Sequence, residues 1–320
     1  GVEEESKTSS HQKSSMGVTE ETGTTAVATM PSKRDGEIKV GTFNIRNFGK
    51  SQLSDPGVAA TLAHIAMGFD VIAIQEISHK NGNALEALVA KMNLEEVGRF
   101  DYLVSTLLGK DPKRKGTDTE QFGFIYDKSR IELTDKNLGF VVSEKRFKTK
   151  FDRLPVVSSF KVKNELAKKP FTFTLVSFHN VPAGNRRWEE EVANLPSVYQ
   201  EVRRLLAEED DIVLLGDFNA DSETILRGLA PLNQNFASAV PIEKTNVIQT
   251  KSYDNLVFDI QSTSEFIEGR VFNFSEVCKL YGADPRKVSD HFPVYATFAM
   301  EESDRGKRVA SAVERELAPR

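Results

Sequence analysis

Six apolar, strand-like segments of this 320-residue chain carry, at one end, a side chain able to hold a metal ion or move a proton. Asn44 lies at the end of IKVGTFNI (38–45), and Glu76 follows VIAIQ. His179 and Asn180 close FTFTLVSFHN, while Asp217 and Asn219 close DIVLLGDFNA. Asp254 precedes NLVFDI, and Asp290 and His291 precede FPVYATFAM. Taken singly, an Asp or Asn after a strand is a turn former, and a buried His is a satisfied core residue. Glu76 is harder to read that way, because a carboxylate ending a buried apolar run needs a partner. Strand ends are rigid platforms for chemistry, so the recurrence calls for one explanation.

A hard-metal site supplies it. Glu76, Asn44, Asp217, Asn219 and Asp290 offer the oxygen ligands that Mg²⁺ or Mn²⁺ prefers. Zinc is poorly served: Cys278 is the sole cysteine, and neither HExxH nor CxxC occurs. A histidine beside such a cluster suits proton transfer, and an acidic neighbour fixes its tautomer and raises its pKa. Asp254 and Glu120 are the candidate orienters. Together the residues suit metal-assisted hydrolysis of a phosphate ester. The chain has no GxxxxGK[ST] and no GxSxG, so P-loop nucleotide hydrolysis and the simplest esterase chemistry are not indicated.

The elements that must carry these residues follow from periodicity. Helical spacing marks 57–69, 83–93 and 188–209, with Pro196 expected to kink or break the last. Strands are expected in 38–45, 70–77, FDYLVSTLL, QFGFIYDK, LPVVSSFKV, FTFTLVSFHN, DIVLLGDFNA, NLVFDI and FPVYATFAM. Two helix–strand alternations flank a strand-rich middle. That order suits an α/β fold of two packed sheets with helices on their outer faces.

Composition sets outer limits. At 39% hydrophobic and 28% charged, the chain has the make-up of a globular protein with a sizeable core. A nucleic-acid binder with net charge -5 needs a local basic surface. No run of 18 apolar residues marks a membrane helix. One cysteine cannot form an intramolecular disulfide. Residues 1–36 read as a disordered tail, 37–300 as one catalytic domain, and 301–320 as a tail or short helix. With Gly1 first, localisation stays open between export or the cell envelope after signal removal and the cytoplasm.

TFNIRNFG (42–49), VIAIQE (71–76), SFHN (177–180), GDFNAD (216–221), YDNLVF (253–258) and SDHFPV (289–294) resemble, in order, the motif series of the endonuclease/exonuclease/phosphatase superfamily. NIRNFG, TEQFGFIYDK (119–128), RLPVVSSF (153–160) and the approach to His291 resemble its deoxyribonuclease-I-like branch. The resemblance implies a four-layer α/β/β/α sandwich. It implies Glu76 as main metal carboxylate, with Asn44, Asp217, Asn219 and Asp290 completing one or two divalent-ion environments. It pairs His179 with Glu120 and His291 with Asp254, one histidine activating water and the other serving the leaving 3′ oxygen. Which histidine does which is left open. Asn219 would join the metal in stabilising phosphoryl oxygens. Mg²⁺ or Mn²⁺ is the implied cofactor, with Ca²⁺ as a structural or auxiliary ion.

The implied reaction is DNA cleavage to 5′-phosphate and 3′-hydroxyl ends with low sequence specificity. DNA contacts are expected at Arg46, Arg153, Arg186 and Arg187. Basic loops at 109–118, 144–153 and 184–188 adjoin catalytic segments and suit backbone phosphates. Three features depart from the branch: no disulfide is possible, QEIS puts Ser78 near where an arginine is usual, and the acidic N-terminal tail has no evident counterpart. The alternatives are another phosphodiesterase or phosphatase of the superfamily, acting on sphingomyelin, phosphoinositides or abasic sites, and a non-catalytic module on the same fold.

Overall fold

The computed structural model describes residues 33–78, 84–109, 119–134, 139–140 and 151–303. Most of the expected tails, 1–36 and 301–320, and nearly all of the basic loops 109–118 and 144–153 lie outside the described residues.

Strand alternation sets the architecture. In β1 (Glu37–Phe48), Ile38 and Val40 face one way while Phe43 and Ile45 face the other. A strand buried on both faces needs cover on both. One cover is a second sheet, and the other is a layer of helices.

The first sheet has six strands among the described residues. Its order is β12 (Phe266–Val271), β13 (Val294–Ala299), β1, β2 (Val71–Ile77), β4 (Gln121–Asp127) and β3 (Phe100–Val104). The second runs β10 (Phe236–Ser238), β11 (Asp254–Asp259), β9 (Ile212–Asp217), β8 (Thr172–His179), β7 (Val156–Val162) and β5 (Ile131–Leu133), with β6 (Gly139–Phe140) also on β7. Each sheet is mixed: β1 and β2 pair parallel, as do β8 and β9, and the other pairs are antiparallel.

Helices α2 (Pro56–Met67), α3 (Ala84–Glu95) and α7 (Ser275–Tyr281) pack on the outside of the first sheet, beside the short α1 (Lys50–Leu53) and α8 (Pro285–Val288). Helices α4 (Trp188–Ala193), α5 (Leu195–Leu205) and α6 (Ser222–Leu229) cover the second sheet. The result is a four-layer α/β/β/α sandwich. No helix among the described residues is long and apolar enough to cross a membrane.

Local chemistry explains several boundaries. Asp55 caps α2, accepting from the N–H groups of Gly57 and Val58, with Pro56 in the first turn. The helix expected over 188–209 is two helices that meet at Asn194, and the second ends at Leu205. Pro196 lacks an N–H and is tolerated in a first turn, where it starts α5 rather than bending a continuous helix.

The layer between the sheets is apolar over most of its length. It includes Ile38, Val40, Val71, Ala73, Phe122, Phe124, Phe173, Leu175, Val213, Leu215, Leu256 and Phe258. Burying each larger side chain contributes roughly 1.5–3 kcal/mol. Continued along each strand, the same alternation reaches Thr42 and Asn44, Gln75, Glu120, Ser177 and His179, Asp217 and Asp254. The inner face therefore turns polar at one end. A buried polar group left without a partner costs about 1–3 kcal/mol, so these side chains are sustained by meeting one another.

The opposite end of the first sheet is closed by ions. Asp70 pairs with Arg130 at 2.7 Å, and Asp127 pairs with Lys33 at 2.7 Å and Arg99 at 2.8 Å.

Candidate active site

The floor of the polar end is a hydrogen-bonded row crossing both sheets. Thr42 Oγ1 donates to Gln75 Oε1 (3.1 Å), and Gln75 Nε2 donates to Ser177 Oγ (2.9 Å). All three are fully buried. Above this floor, Asn44 Nδ2 donates to Glu76 Oε1 and to Asp217 Oδ2, both at 3.0 Å, and so joins the two sheets at the cluster.

Glu76 sits off the regular alternation. Its φ of 60° is left-handed, and the β1–β2 register shifts between Asn44 and Phe48. An L-residue adopts that conformation at a cost, commonly at functional positions. Here it turns the carboxylate into the cluster, where Asn47 N–H donates to Oε2 at 2.8 Å. Burial opposes its charge, but His179, the Asn47 N–H, Asn44 and His291 outweigh that and hold its pKa below the ordinary value.

Two histidines face each other across Asp217. His179 Nδ1–H donates to Glu120 Oε1 at 2.7 Å, and His291 Nδ1–H donates to Asp254 Oδ2 at 2.8 Å. In each ring, that leaves Nε2 turned inward. His179 Nε2 also lies 3.9 Å from Glu76 Oε1, and His291 Nε2 lies 3.9 Å from Asp290 Oδ1. Burial disfavours the His291 cation, yet Asp254, Asp217 and Asp290 prevail and raise its pKa to about 10. Burial likewise opposes charge on His179, and chiefly Glu120 overcomes it, raising the pKa. Burial and the neighbouring Asp254 raise that of Asp217, against the pull of the two histidines.

Each orienting carboxylate is itself held. Arg153 Nε lies 2.7 Å from Glu120 Oε1, and its Nη1 donates to the His179 carbonyl at 3.2 Å. Thr245 Oγ1 donates to Asp254 Oδ2 at 2.7 Å. Ser289 Oγ donates to the Asn44 carbonyl (2.7 Å) and accepts from the His291 N–H (3.1 Å), tying the histidine loop to β1.

The donor set fits a hard divalent cation. Glu76, Asp217, Asp254, Asp290 and Asn44 present oxygens at the polar end of the layer between the sheets. Carboxylate oxygens of Asp217 and Asp254 and a ring nitrogen of His291 lie within 4.8 Å of one another. Asn44 Oδ1 and Asp254 Oδ1 are buried with no hydrogen-bond partner among the described residues. Oxygen ligands in excess of internal donors are what Mg²⁺ or Mn²⁺ accepts.

Some expected residues are placed differently from the sequence reading. Strand β9 ends at Asp217, and Asn219 is left-handed at φ 49°, so strand alternation does not carry the two side chains the same way. Instead Asn219 N–H closes a turn onto Asp217 Oδ1 (2.9 Å), and its Nδ2 donates to the Asn180 carbonyl (2.8 Å). Gly216 at φ +135° permits this close approach, since a Cβ there would lie 2.1 Å from the Phe178 carbonyl oxygen.

Asp290 is half-exposed at the rim, where Arg46 approaches it at 3.7 Å. Arg153, expected on the DNA surface, is buried behind Glu120. Arg187 pairs with Asp152 at 3.0 Å, whereas Arg186 is exposed and makes no ion pair with a described residue. Their loop is anchored to the site by Trp188, whose Nε1 donates to the Asn219 carbonyl at 2.9 Å.

The sequence reading did not single out Thr42, Gln75, Ser177, Thr245 or Ser289. For the first three, the available signal was parity with Asn44 and His179 on the inner face. Thr245 and Ser289 lie in loops, where no period marks a side chain's direction.

Comparison with known proteins agrees with this geometry. The sequence model of the Endonuclease/Exonuclease/phosphatase family matches residues 41–291. Deoxyribonuclease-1-like 2 of Mus musculus is 25% identical over 276 residues, covering 82% of this chain and 91% of that protein. Deoxyribonuclease gamma of Rattus norvegicus is 26% identical over 270 residues, covering 80% and 83%. Among solved structures, the human Nocturnin catalytic domain with bound sulfate superposes with a TM-score of 0.57 at 14% identity, covering 82% of this chain and 93% of that one. An endonuclease/exonuclease/phosphatase family protein from Bacteroides thetaiotaomicron gives 0.56 at 17% identity, covering 84% and 100%.

Proposed function

The chain belongs to the endonuclease/exonuclease/phosphatase family, whose metal-dependent phosphodiester hydrolysis its acid-and-histidine cluster suits, and from that premise we propose that it is a DNA endonuclease of the deoxyribonuclease-I-like branch. The observation that carries the reading is the pair of inward-facing histidines, each backed by its own carboxylate. Hydrolysing a phosphodiester needs a group to take a proton from water and another to give one to the leaving oxygen. Two oriented rings on opposite sides of one cluster supply both.

Glu76, Asn44, Asp217, Asn219 and Asp290 are the residues that would hold Mg²⁺ or Mn²⁺. When bound, the ion would neutralise charge on the phosphoryl oxygens. Glu120 and Asp254 hold the rings in position and stabilise the imidazolium forms. Asn219 gives one amide hydrogen to Asn180 and keeps the other for a phosphoryl oxygen. The products are 5′-phosphate and 3′-hydroxyl ends.

Three observations support DNA as substrate: the similarity to deoxyribonucleases over about four-fifths of the chain, the exposed Arg186, and the rim position of Arg46. Contacts of that type read phosphates rather than bases, which gives low sequence specificity. The test is nicking of supercoiled plasmid with Mg²⁺ or Mn²⁺, run beside His179→Ala and His291→Ala. The wild type should relax the plasmid, chelation should stop it, and both variants should lose activity. An intact plasmid combined with hydrolysis of a phospholipid would overturn the reading.

A further inference from the structure

At the end of β9 remote from Asp217 lies a second set of carboxylates. Asp211 lies six positions before Asp217 along the strand, about 20 Å at the usual rise. Glu209, Asp210 and Asp211 each bring a carboxylate oxygen within 4.8 Å of the others. Two more acids approach from other elements. Glu302, just beyond β13, accepts from the N–H (3.0 Å) and the hydroxyl (3.1 Å) of Thr172 at the start of β8. Glu265, just before β12, accepts from Ser303 N–H at 2.6 Å, and its charge acts on Asp211. Strands from both sheets therefore deliver acid to one place.

Glu209 also accepts from the Asp211 N–H at 2.9 Å, yet two carboxylate oxygens here find no donor. Asp211 is 2% exposed, and its side chain accepts no hydrogen bond from a described residue; its Oδ1 is wholly buried. Glu265 is 4% exposed, with Oε2 buried and unpartnered. No Lys, Arg or His among the described residues forms an ion pair with any of the five acids. Burial above all, and then the neighbouring acids, push Asp211 up to about 10 and Glu209 to about 7. Ordinary acidic surfaces are solvated. This cluster instead buries carboxylate oxygens that only a cation or a proton can satisfy.

We propose that Asp211, Glu209, Glu265 and Glu302 form a second divalent-cation site, separate from the catalytic cluster, whose ion ties the two sheets together. The all-oxygen, multi-carboxylate set from three chain segments suits Ca²⁺, which takes six to eight oxygens in flexible geometry, better than Mg²⁺, which demands a tight octahedron. Its role is mechanical: it clamps the starts of β8 and β9 to the segments flanking β12 and β13, while the chemistry proceeds at the far end.

The test is thermal melting of the full chain in EDTA and in Ca²⁺, with isothermal titration of Ca²⁺. Ca²⁺ should raise the Tm of wild type and of Glu76→Gln alike, since the latter touches only the catalytic cluster. Asp211→Asn and Glu265→Gln should lose that rise and bind Ca²⁺ at least about tenfold more weakly, while nicking plasmid with Mg²⁺ as wild type does. Glu302→Gln, only half-buried, guards against a folding defect in the deeper variants. The proposal is overturned if wild type gains no stability from Ca²⁺, if both buried-acid variants keep the full gain, or if Glu76→Gln alone abolishes it.

Discussion

The Nε2 atoms of His179 and His291 lie 3.7 Å from the same oxygen, Oδ2 of Asp217. One ring comes from the end of β8 and the other from the loop before β13, so the two sheets each contribute one imidazole to a shared carboxylate. Removing either ring should lower the plasmid-nicking rate by roughly 10²–10⁴-fold. The double variant should be little worse than the poorer single one, because both act in one step. Initial rates at saturating Mg²⁺ measure this, and additive losses would count against a joint role.

Gln75 is the keystone of the buried polar row. Gln75→Leu strands the hydroxyls of Thr42 and Ser177 and should destabilise the fold by about 1–3 kcal/mol. The triple change Thr42→Val, Gln75→Leu, Ser177→Ala removes every stranded group and should recover most of that loss. Urea denaturation of the single and triple variants decides it. A triple variant weaker than the single one would show that shape, not pairing, governs the row.

Arg186 is open to solvent beside the site. If it meets a phosphate, Arg186→Ala should reduce the slope of log K against log salt by about 0.9 for duplex DNA. Binding of a duplex by a His179→Ala background, across a salt series, reads the slope without turnover. An unchanged slope would remove Arg186 from the DNA surface.

Asp127 predicts a pH dependence. Burial disfavours its charge, but hydrogen bonds and charges from Arg99 and Lys33 outweigh that and lower its pKa from 3.8 to about 2. A carboxylate with a folded-state pKa below its unfolded value stabilises the fold above about pH 4, and that contribution fades as pH falls through about 2. The amount is roughly 2 kcal/mol. Melting temperature measured from pH 6 to pH 2 should fall less steeply in Asp127→Asn than in wild type, from a lower starting value.

What the sequence disclosed followed its periods. The runs around 71–77, 172–179 and 212–217 are strands, and the helix–strand order predicted two sheets under outer helices. Short edge strands such as β10 and β12 carry too little alternation to stand out. Within the site, Asp217 and Glu76 were visible because a charged residue at the end of an apolar run is costly unless used. Gln75 was not visible, because an uncharged amide next to a glutamate reads as part of the same polar end. The left-handed turn at Glu76 was also hidden, since glutamate advertises no such conformation. Arg153 shows the reverse case: a basic loop suggests solvent, and only packing against Glu120 reveals a buried residue. Contacts between the sheets join positions far apart in the chain, and no local pattern records them.

The bond from Asn44 to Asp217 spans 173 residues of sequence, and the one from Ser289 to the Asn44 carbonyl spans 245. During synthesis, then, β1 emerges with half a site and must wait for almost the entire domain before its partners arrive. A ribosome-bound chain that has not yet released His291 has no second histidine and no fastening for the first strand. The cluster can therefore close only after the last strands are in place.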